Sequence, residues 1–345
     1  MQTAQATELN PLLNATLDVR HPPVDLLRGI ISAPGEFRIQ VNVTGAAADL
    51  VADLVRLPGS SKKISGACIP YRQHQVIDAM GYESAKSVSE ETAIGLAQVA
   101  YLTAQRTSVQ HGEFEGKTPP SIIGLGLTGA VATDRNRMGE DHIWVAVRTV
   151  FGISVGHFQF AKGSGDNTRA WQNELANLIA LNVLAKEVGA NQSLSDFSDI
   201  ASADCGEIAP DKIALEEVKK DRLDFSQPQL IMPSGEVVNP SIINADTHLV
   251  FPGSFKSFHC GHDLAAVNAA TVSGKKVIFE ISAVNADKAA VDGDELARRA
   301  LQFRGRYPVL VTPDAPLFKD KSLAYPEGMG FVVGYDTASR LLDLR

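Results

Sequence analysis

Cysteine is scarce in this chain. Three occur in 345 residues, Cys68, Cys205 and Cys260, far apart and without a CxxC pair. That spacing argues against a disulfide framework and a cysteine-rich zinc site. No stretch of about 18 apolar residues occurs, so no membrane span is expected. The opening MQTAQATELNPLLNATLDVR lacks a basic segment followed by an apolar run and does not read as a secretory signal. Positive charge is not in surplus either. The net charge of −8 argues against a general nucleic-acid binder, while leaving room for one local basic pocket for a phosphorylated ligand. No internal repeat or low-complexity tract stands out. A reducing cytoplasm is the expected compartment.

What is present is the composition of a globular protein, 44% hydrophobic and 21% charged, at a length that suits two domains. Residues 1–36 read as an irregular arm interrupted by Pro11, Pro22, Pro23 and Pro34. A first domain is expected over 37–190. FRIQVNV alternates as a strand, and AAADLVADLVRL is helical until Pro58-Gly59. KISGACIPY reads as a strand, and SVSEETAIGLAQVAYLTAQR is a serine-capped helix. SIIGLGLTGA is a buried strand, HIWVAVRTVFGISVGHFQF a hairpin, and NTRAWQNELANLIALNVLAKEVG a closing helix. Residues 191–245 turn polar and read as a linker, with a turn or small hairpin around Ser234-Gly235.

From 246 to 345 strand-like and helix-like pieces alternate β-α-β-α-β-α-β-α, which predicts a parallel sheet. In such sheets the site lies beyond the C-terminal strand ends. Four loops leave those ends here: PGSFKSFHCGH, SAVNADK, PDAPLFKDK and GYDT. The first holds His259 and His262, three apart, so that both can share a face of a helix's first turn. Taken alone, the stretch allows a phosphate-gripping turn, a metal site or an ordinary helix start. The metal reading needs a third ligand, because Cys260 points elsewhere on a helix. Strand, Gly253-Ser254 and then a helix near Gly261 offers N–H groups to an anion, which favours phosphate. Imidazoles can donate to phosphate oxygens and, when protonated, offset charge on a leaving pyrophosphate.

GSFxxxHxGH, with Gly334, Asp336 and Thr337 as a downstream GxDT, resembles the signature of the nucleotidylyltransferase superfamily. FEISAVNADK and APLFKDK are similar to segments of an adenylyltransferase-like branch. The resemblance implies a Rossmann-like α/β domain in which His259 and His262 bind the triphosphate. Gly253, Ser254 and Phe255 would line the nucleotide, with Gly261 beside them and Asp336 near the ribose. Lys288 or Lys319 would meet the second substrate's phosphate. The implied reaction is attack by an acceptor phosphate on the α-phosphate of ATP or CTP, with Mg²⁺ bridging phosphates and pyrophosphate leaving. No protein nucleophile is needed. The superfamily's usual ISSTxxR segment after GxDT is missing, since the chain stops nine residues after Asp336. The expectation is therefore an apparently truncated transferase domain, or a nucleotide-binding scaffold without transfer.

The first domain has its own resemblance. RLPGSSKKISGACIPY, SVSEETA, GLTGA and FAKGSGDNTRAWQNELANLIALNVL, in that order, resemble the CinA C-terminal domain, a nicotinamide-nucleotide amidase fold. The amidase chemistry is missing. The serine nucleophile of the family's ESCTGG falls on Asn42, and the lysine of its YSNEAK falls on Val76. Neither residue can do that work. LTGAVATDRN lacks the small residues of the family's glycine-rich loop. Ser60, Ser61 and Lys62 read as a turn after a helix, not a Ser-Lys dyad. His74 and Tyr71 stay in the pocket-equivalent loop. The two resemblances together point to small nucleotide substrates, with a nicotinamide-type mononucleotide as acceptor, and the CinA-type domain points to a homo-oligomer.

Overall fold

The computed structural model describes residues 24–115, 119–135, 137–191, 216–217, 225–284, 291–313, 321 and 325–342. It is an α/β architecture built on two six-stranded mixed sheets. None of the described helices is long and apolar enough to cross a membrane.

The first sheet runs β2-β1-β3-β4-β5-β6. Its strands are β1 (Phe37–Thr44), β2 (Ile64–Cys68), β3 (Ser121–Ala130), β4 (His142–Arg148), β5 (Ile153–Gln159) and β6 (Glu216–Glu217). The first three are parallel and the rest antiparallel. Helices α1 (Val24–Ser32), α2 (Asp49–Arg56) and α5 (Asp166–Glu187) contribute to the core on one face. The arm expected over 1–36 is thus partly helical. Pro22-Pro23 and Pro34 bracket ten residues, nine of which form the helix, and Leu26, Leu27 and Ile30 bury one face of it. A second unexpected helix, α3 (Gln73–Met80), stops at Gly81 in the left-handed region. His74 therefore sits on a helix, not in a loop.

Helix α4 (Glu90–Gln110) starts where Ser89 accepts from the Thr92 N–H at 3.2 Å. It is buried over most of its circumference, because both sheets use it. Gly124 and Gly126 of β3 let it lie directly on the first sheet. A Cβ on Gly126 would stand 2.2 Å from the Ala93 carbonyl oxygen of α4. Tyr101, Leu102 and Ala104 of α4 join a core with Phe251, Phe255, Phe258, Phe279 and Phe303. Each such buried ring contributes roughly 1.5–3 kcal/mol.

The second sheet runs β12-β9-β10-β11-β7-β8. β9 (His248–Pro252), β10 (Lys276–Ser282), β11 (Val309–Thr312) and β12 (Gly330–Phe331) are parallel, as expected. The sheet is nonetheless mixed. The hairpin β7 (Gln229–Ile231) and β8 (Val237–Val238) adds an antiparallel edge on β11. The turn at Ser234-Gly235 thus closes a hairpin of this sheet, although it lies in the stretch read as linker; β6, in that same stretch, pairs with β5. Helices α6 (Cys260–Ser273), α7 (Gly293–Leu301) and α8 (Tyr335–Leu342) follow β9, β10 and β12. Numbered by sequence, the parallel strands run 3-2-1-4, so the order reverses between β9 and β12. That point is where open α/β sheets hold ligands. The GSF loop leaves one of these two strands, and Gly334, Asp336 and Thr337 follow the other.

Candidate functional site

The loop after β9 is shaped by its own aromatic residues. Phe255 takes φ +36°, a rare conformation for a bulky side chain. Its ring folds back over Gly253, where an added Cβ would stand 2.6 Å from a ring carbon. Gly261 does the same for His259, whose Nδ1 lies 3.1 Å from where a Cβ would sit. Two glycines of the motif thus leave room for rings beside them.

Three side chains from α7 and the residue after it hold the loop backbone. Arg299 Nη1 donates to the Ser254 carbonyl at 3.0 Å and Arg298 Nη2 to that of Lys256 at 2.9 Å. Gln302 donates to the Phe255 carbonyl at 3.1 Å and accepts from the Phe258 N–H at 2.8 Å. Arg298 and Arg299 also ion-pair with Glu295, and the hydrogen bond from Arg298 is the first cause that holds its carboxyl down at about 2. From below, the Gly253 N–H donates to the Glu280 carbonyl at 3.0 Å. The Glu280 carboxylate, fully buried, takes Lys321 Nζ at 2.5 Å and Thr312 Oγ1 at 2.6 Å.

His259 precedes α6 and His262 lies in its first turn. Their rings stack at 3.7 Å, tilted by 23°. His262 also meets Phe255 edge-on at 4.9 Å. Burial in this aromatic box, with His259 as the second cause, pulls His262 down to about 4; burial lowers His259 too. Both imidazoles are therefore neutral near pH 7. His262 Nδ1 accepts from the His259 N–H at 3.4 Å, which puts the ring proton on Nε2. The backbone donors of the helix start are partly spent. The Cys260 N–H goes to Gln105 Oε1 at 2.7 Å and the His262 N–H to the His259 carbonyl at 2.9 Å. Of the N–H groups expected to face an anion, these two are already engaged.

Next to His262, Asp263 is 1% exposed and ties α6 to the rest of the molecule. It accepts from Arg106 of α4 at 2.8 Å, Arg306 at 2.9 Å and the Tyr307 hydroxyl at 2.8 Å. Arg306 continues to the Met80 carbonyl of α3 at 2.8 Å. None of these partners carries a local sequence signal, since each depends on the packing of distant segments. Lys288 and Lys319 lie outside the described residues, as does the side chain of Asp336. Thr337 follows in the first turn of α8, and Gly334 precedes it. Among the described residues no group of three His, Cys, Asp or Glu side chains is placed to hold a metal.

In the first sheet, Asn42 is buried and donates to the Leu96 carbonyl at 3.1 Å. Val76 packs with Met80 and Leu96. Ser60 Oγ donates to the Leu57 carbonyl at 2.8 Å within a short 3₁₀ turn, Ser60–Lys62. A cavity of about 300 Å³ is lined in part by Gly45, Asp49, Tyr71, Arg169 and Glu174.

No protein-family model matches the chain, and no curated protein matches it. Solved structures it is similar to include competence/damage-inducible and CinA-superfamily proteins, each matched over about half of this chain. A competence/damage inducible protein CihA from Agrobacterium tumefaciens is 18% identical, with a TM-score of 0.37, over 48% of this chain and 94% of that one. A CinA superfamily protein from Klebsiella pneumoniae is 13% identical, with a TM-score of 0.31, over 50% and 98%. One from Escherichia coli is 14% identical, with a TM-score of 0.30, over 48% and 94%.

Proposed function

We propose that the β9–α6 loop binds the phosphates of a nucleoside triphosphate and that the protein transfers a nucleotidyl group from ATP or CTP to a phosphorylated acceptor. A nicotinamide-type mononucleotide is the proposed acceptor, and pyrophosphate the second product. The observation that carries the reading is a braced His-x-Gly-His helix start at the switch point of a 3-2-1-4 sheet. His262, with Nδ1 engaged, presents Nε2–H to a phosphate oxygen. A bound triphosphate would raise both imidazoles by its negative charge and convert them to cations as charge develops on the leaving group. The loop carbonyls are turned toward α7 by Arg298, Arg299 and Gln302, away from an anion. With no carboxylate cage among the described residues, Mg²⁺ would be held chiefly by the substrate phosphates and supply charge neutralisation. The first half is proposed as an amidase-inactive, CinA-like unit, because Asn42 and Val76 stand where its nucleophile and base would be.

A second reading, nucleotide binding without transfer, is favoured by the neutral imidazoles and the backbone donors already engaged at the helix start. The two separate in one assay. The protein is incubated with Mg²⁺, ATP or CTP and mononucleotides, and pyrophosphate release is followed. Release that falls at least ~100-fold in His259→Ala and His262→Ala supports transfer. Triphosphate binding without release supports the second reading. Release that neither substitution changes overturns both.

A further inference from the structure

A second pair of histidines lies at the C-terminal end of the first sheet, away from the loop just described. His142 on β4 and His157 on β5 are half-buried on one face of an antiparallel pair. Trp144 opposes His157 directly, and Thr128 opposes Trp144, so His157 ends that row across the sheet, while His142, opposite Gln159, lies diagonal to it. The His157 ring lies on the Trp144 indole at 4.2 Å, with planes 17° apart. The His142 ring meets it edge-on. His142 Nδ1 and His157 Nε2 face each other at 2.6 Å. One proton serves both nitrogens, so one lone pair is already directed at the other ring.

We propose that His142 Nδ1 and His157 Nε2 form a two-histidine site for a divalent transition metal of tetragonal preference, Cu²⁺ or Ni²⁺ by chemical class, with water or an exogenous ligand in the remaining positions. The spacing decides the geometry. Two nitrogens about 2.0 Å from a metal, cis in a square plane, stand about 2.8 Å apart; at the tetrahedral angle they stand about 3.3 Å apart. The observed 2.6 Å needs a small opening for the first and a much larger one for the second. For the metal to enter, the shared proton moves to the outer nitrogen of the ring that carries it, which leaves two neutral imidazoles with both inward lone pairs free, and the pair opens by that amount and tilts. Stacking on Trp144 limits how far His157 can swing, which works against the wider tetrahedral set. His142 is half-buried at the start of β4. The charges that act on it are Arg137, Glu140 and Asp141, one cation against two anions. Arg137 is itself paired with Asp141. The Irving–Williams order then places Cu²⁺ first.

Trp144 provides the readout. The chain has two tryptophans, and Trp171→Phe leaves Trp144 as the sole tryptophan. In that background the full chain is titrated with Cu²⁺, Ni²⁺ and Zn²⁺ at pH 7.5. Saturable quenching by one equivalent of Cu²⁺ is expected, with Zn²⁺ at least about tenfold weaker. His142→Gln and His157→Gln should each weaken it at least about tenfold, while His259→Gln leaves it unchanged. Quenching that survives both glutamine changes overturns the site, and so does quenching abolished by His259→Gln. Electron paramagnetic resonance of the unsubstituted protein provides a check that no variant's folding affects. Two imidazole nitrogens in the Cu²⁺ spectrum support the site, and an all-oxygen or single-nitrogen set overturns it.

Discussion

Replacing Asp263 by Asn tests whether the helix that carries His259 and His262 is mechanically joined to the first half of the protein. Asp263 is 1% exposed and lies between Arg306, whose side chain is 14% exposed, and Arg106, at 37%. Tyr307 donates as well; burial raises that hydroxyl, so it stays a neutral donor. Removing one partner of a buried ion pair costs about 3–5 kcal/mol, because the remaining charge is stranded. The Arg106 link is more exposed, so solvent screening limits it to ~1 kcal/mol or less. Asn keeps the shape and one acceptor but turns an amide N–H₂ toward donors. The expected loss is about 2–4 kcal/mol of unfolding free energy. Both tryptophans, Trp144 and Trp171, lie in the first half, so their fluorescence in urea reports unfolding there. Circular dichroism reports the whole. If the network joins the halves, the change on α6 lowers the fluorescence midpoint together with the dichroism midpoint. A fluorescence transition within ~0.5 kcal/mol of the parent would refute the joining, whatever dichroism shows. A double-mutant cycle with Arg306→Met should return a coupling of ~1–3 kcal/mol.

Two further outcomes follow from the same geometry. His262 is lowered in the folded state to about 4 from an ordinary 6.5, so the unfolded chain binds its proton first as pH falls. The corresponding stability is complete above pH 6.5 and is lost between 6.5 and about 4. At this partly exposed position it amounts to ~1–2 kcal/mol after screening. Urea midpoints measured through that window should have a shallower slope in His262→Asn than in the parent, and equal slopes would remove the assignment. Gly126→Ala should destabilise by ~3 kcal/mol or more, because the new methyl falls 2.2 Å from the Ala93 carbonyl oxygen and 2.3 Å from the Ala97 nitrogen. A thermal midpoint like the parent's would mean that α4 does not pack on β3 as described.

Local sequence pattern located most elements because their signals lie within a few residues. Ser89 before Glu90-Glu91 marks the start of α4, and alternation on either side of Phe151-Gly152 marks β4 and β5. The failures have one cause each. Helix α1 is short enough to fit between prolines that looked disruptive. Helix α3 opens on Gln-His-Gln, and its buried residues, Val76 and Met80, are too few for a period. The GSF and His-x-Gly-His residues were legible for the same local reason: the ring contacts that need Gly253 and Gly261 come from residues two positions away.

What fixes that loop in place was not legible. Arg298 and Arg299, in the last turn of α7, have the pattern of cations that complement a helix dipole in solvent. The fold instead turns both onto the backbone of a loop over forty residues earlier. Gln105 and Arg106 read as the polar end of a long helix, yet one holds the Cys260 N–H and the other Asp263. The close approach that allows this has no pattern at all. Gly305, at φ +73°, lies where a Cβ would be 2.8 Å from the Gly95 backbone of α4. A motif specifies which groups meet at a loop. Whether they are held still is decided by residues that look like ordinary surface until two distant segments meet. The residues that form the loop could therefore be picked out from the chain, and its rigidity could come only from the packing of α7 and α4 around it.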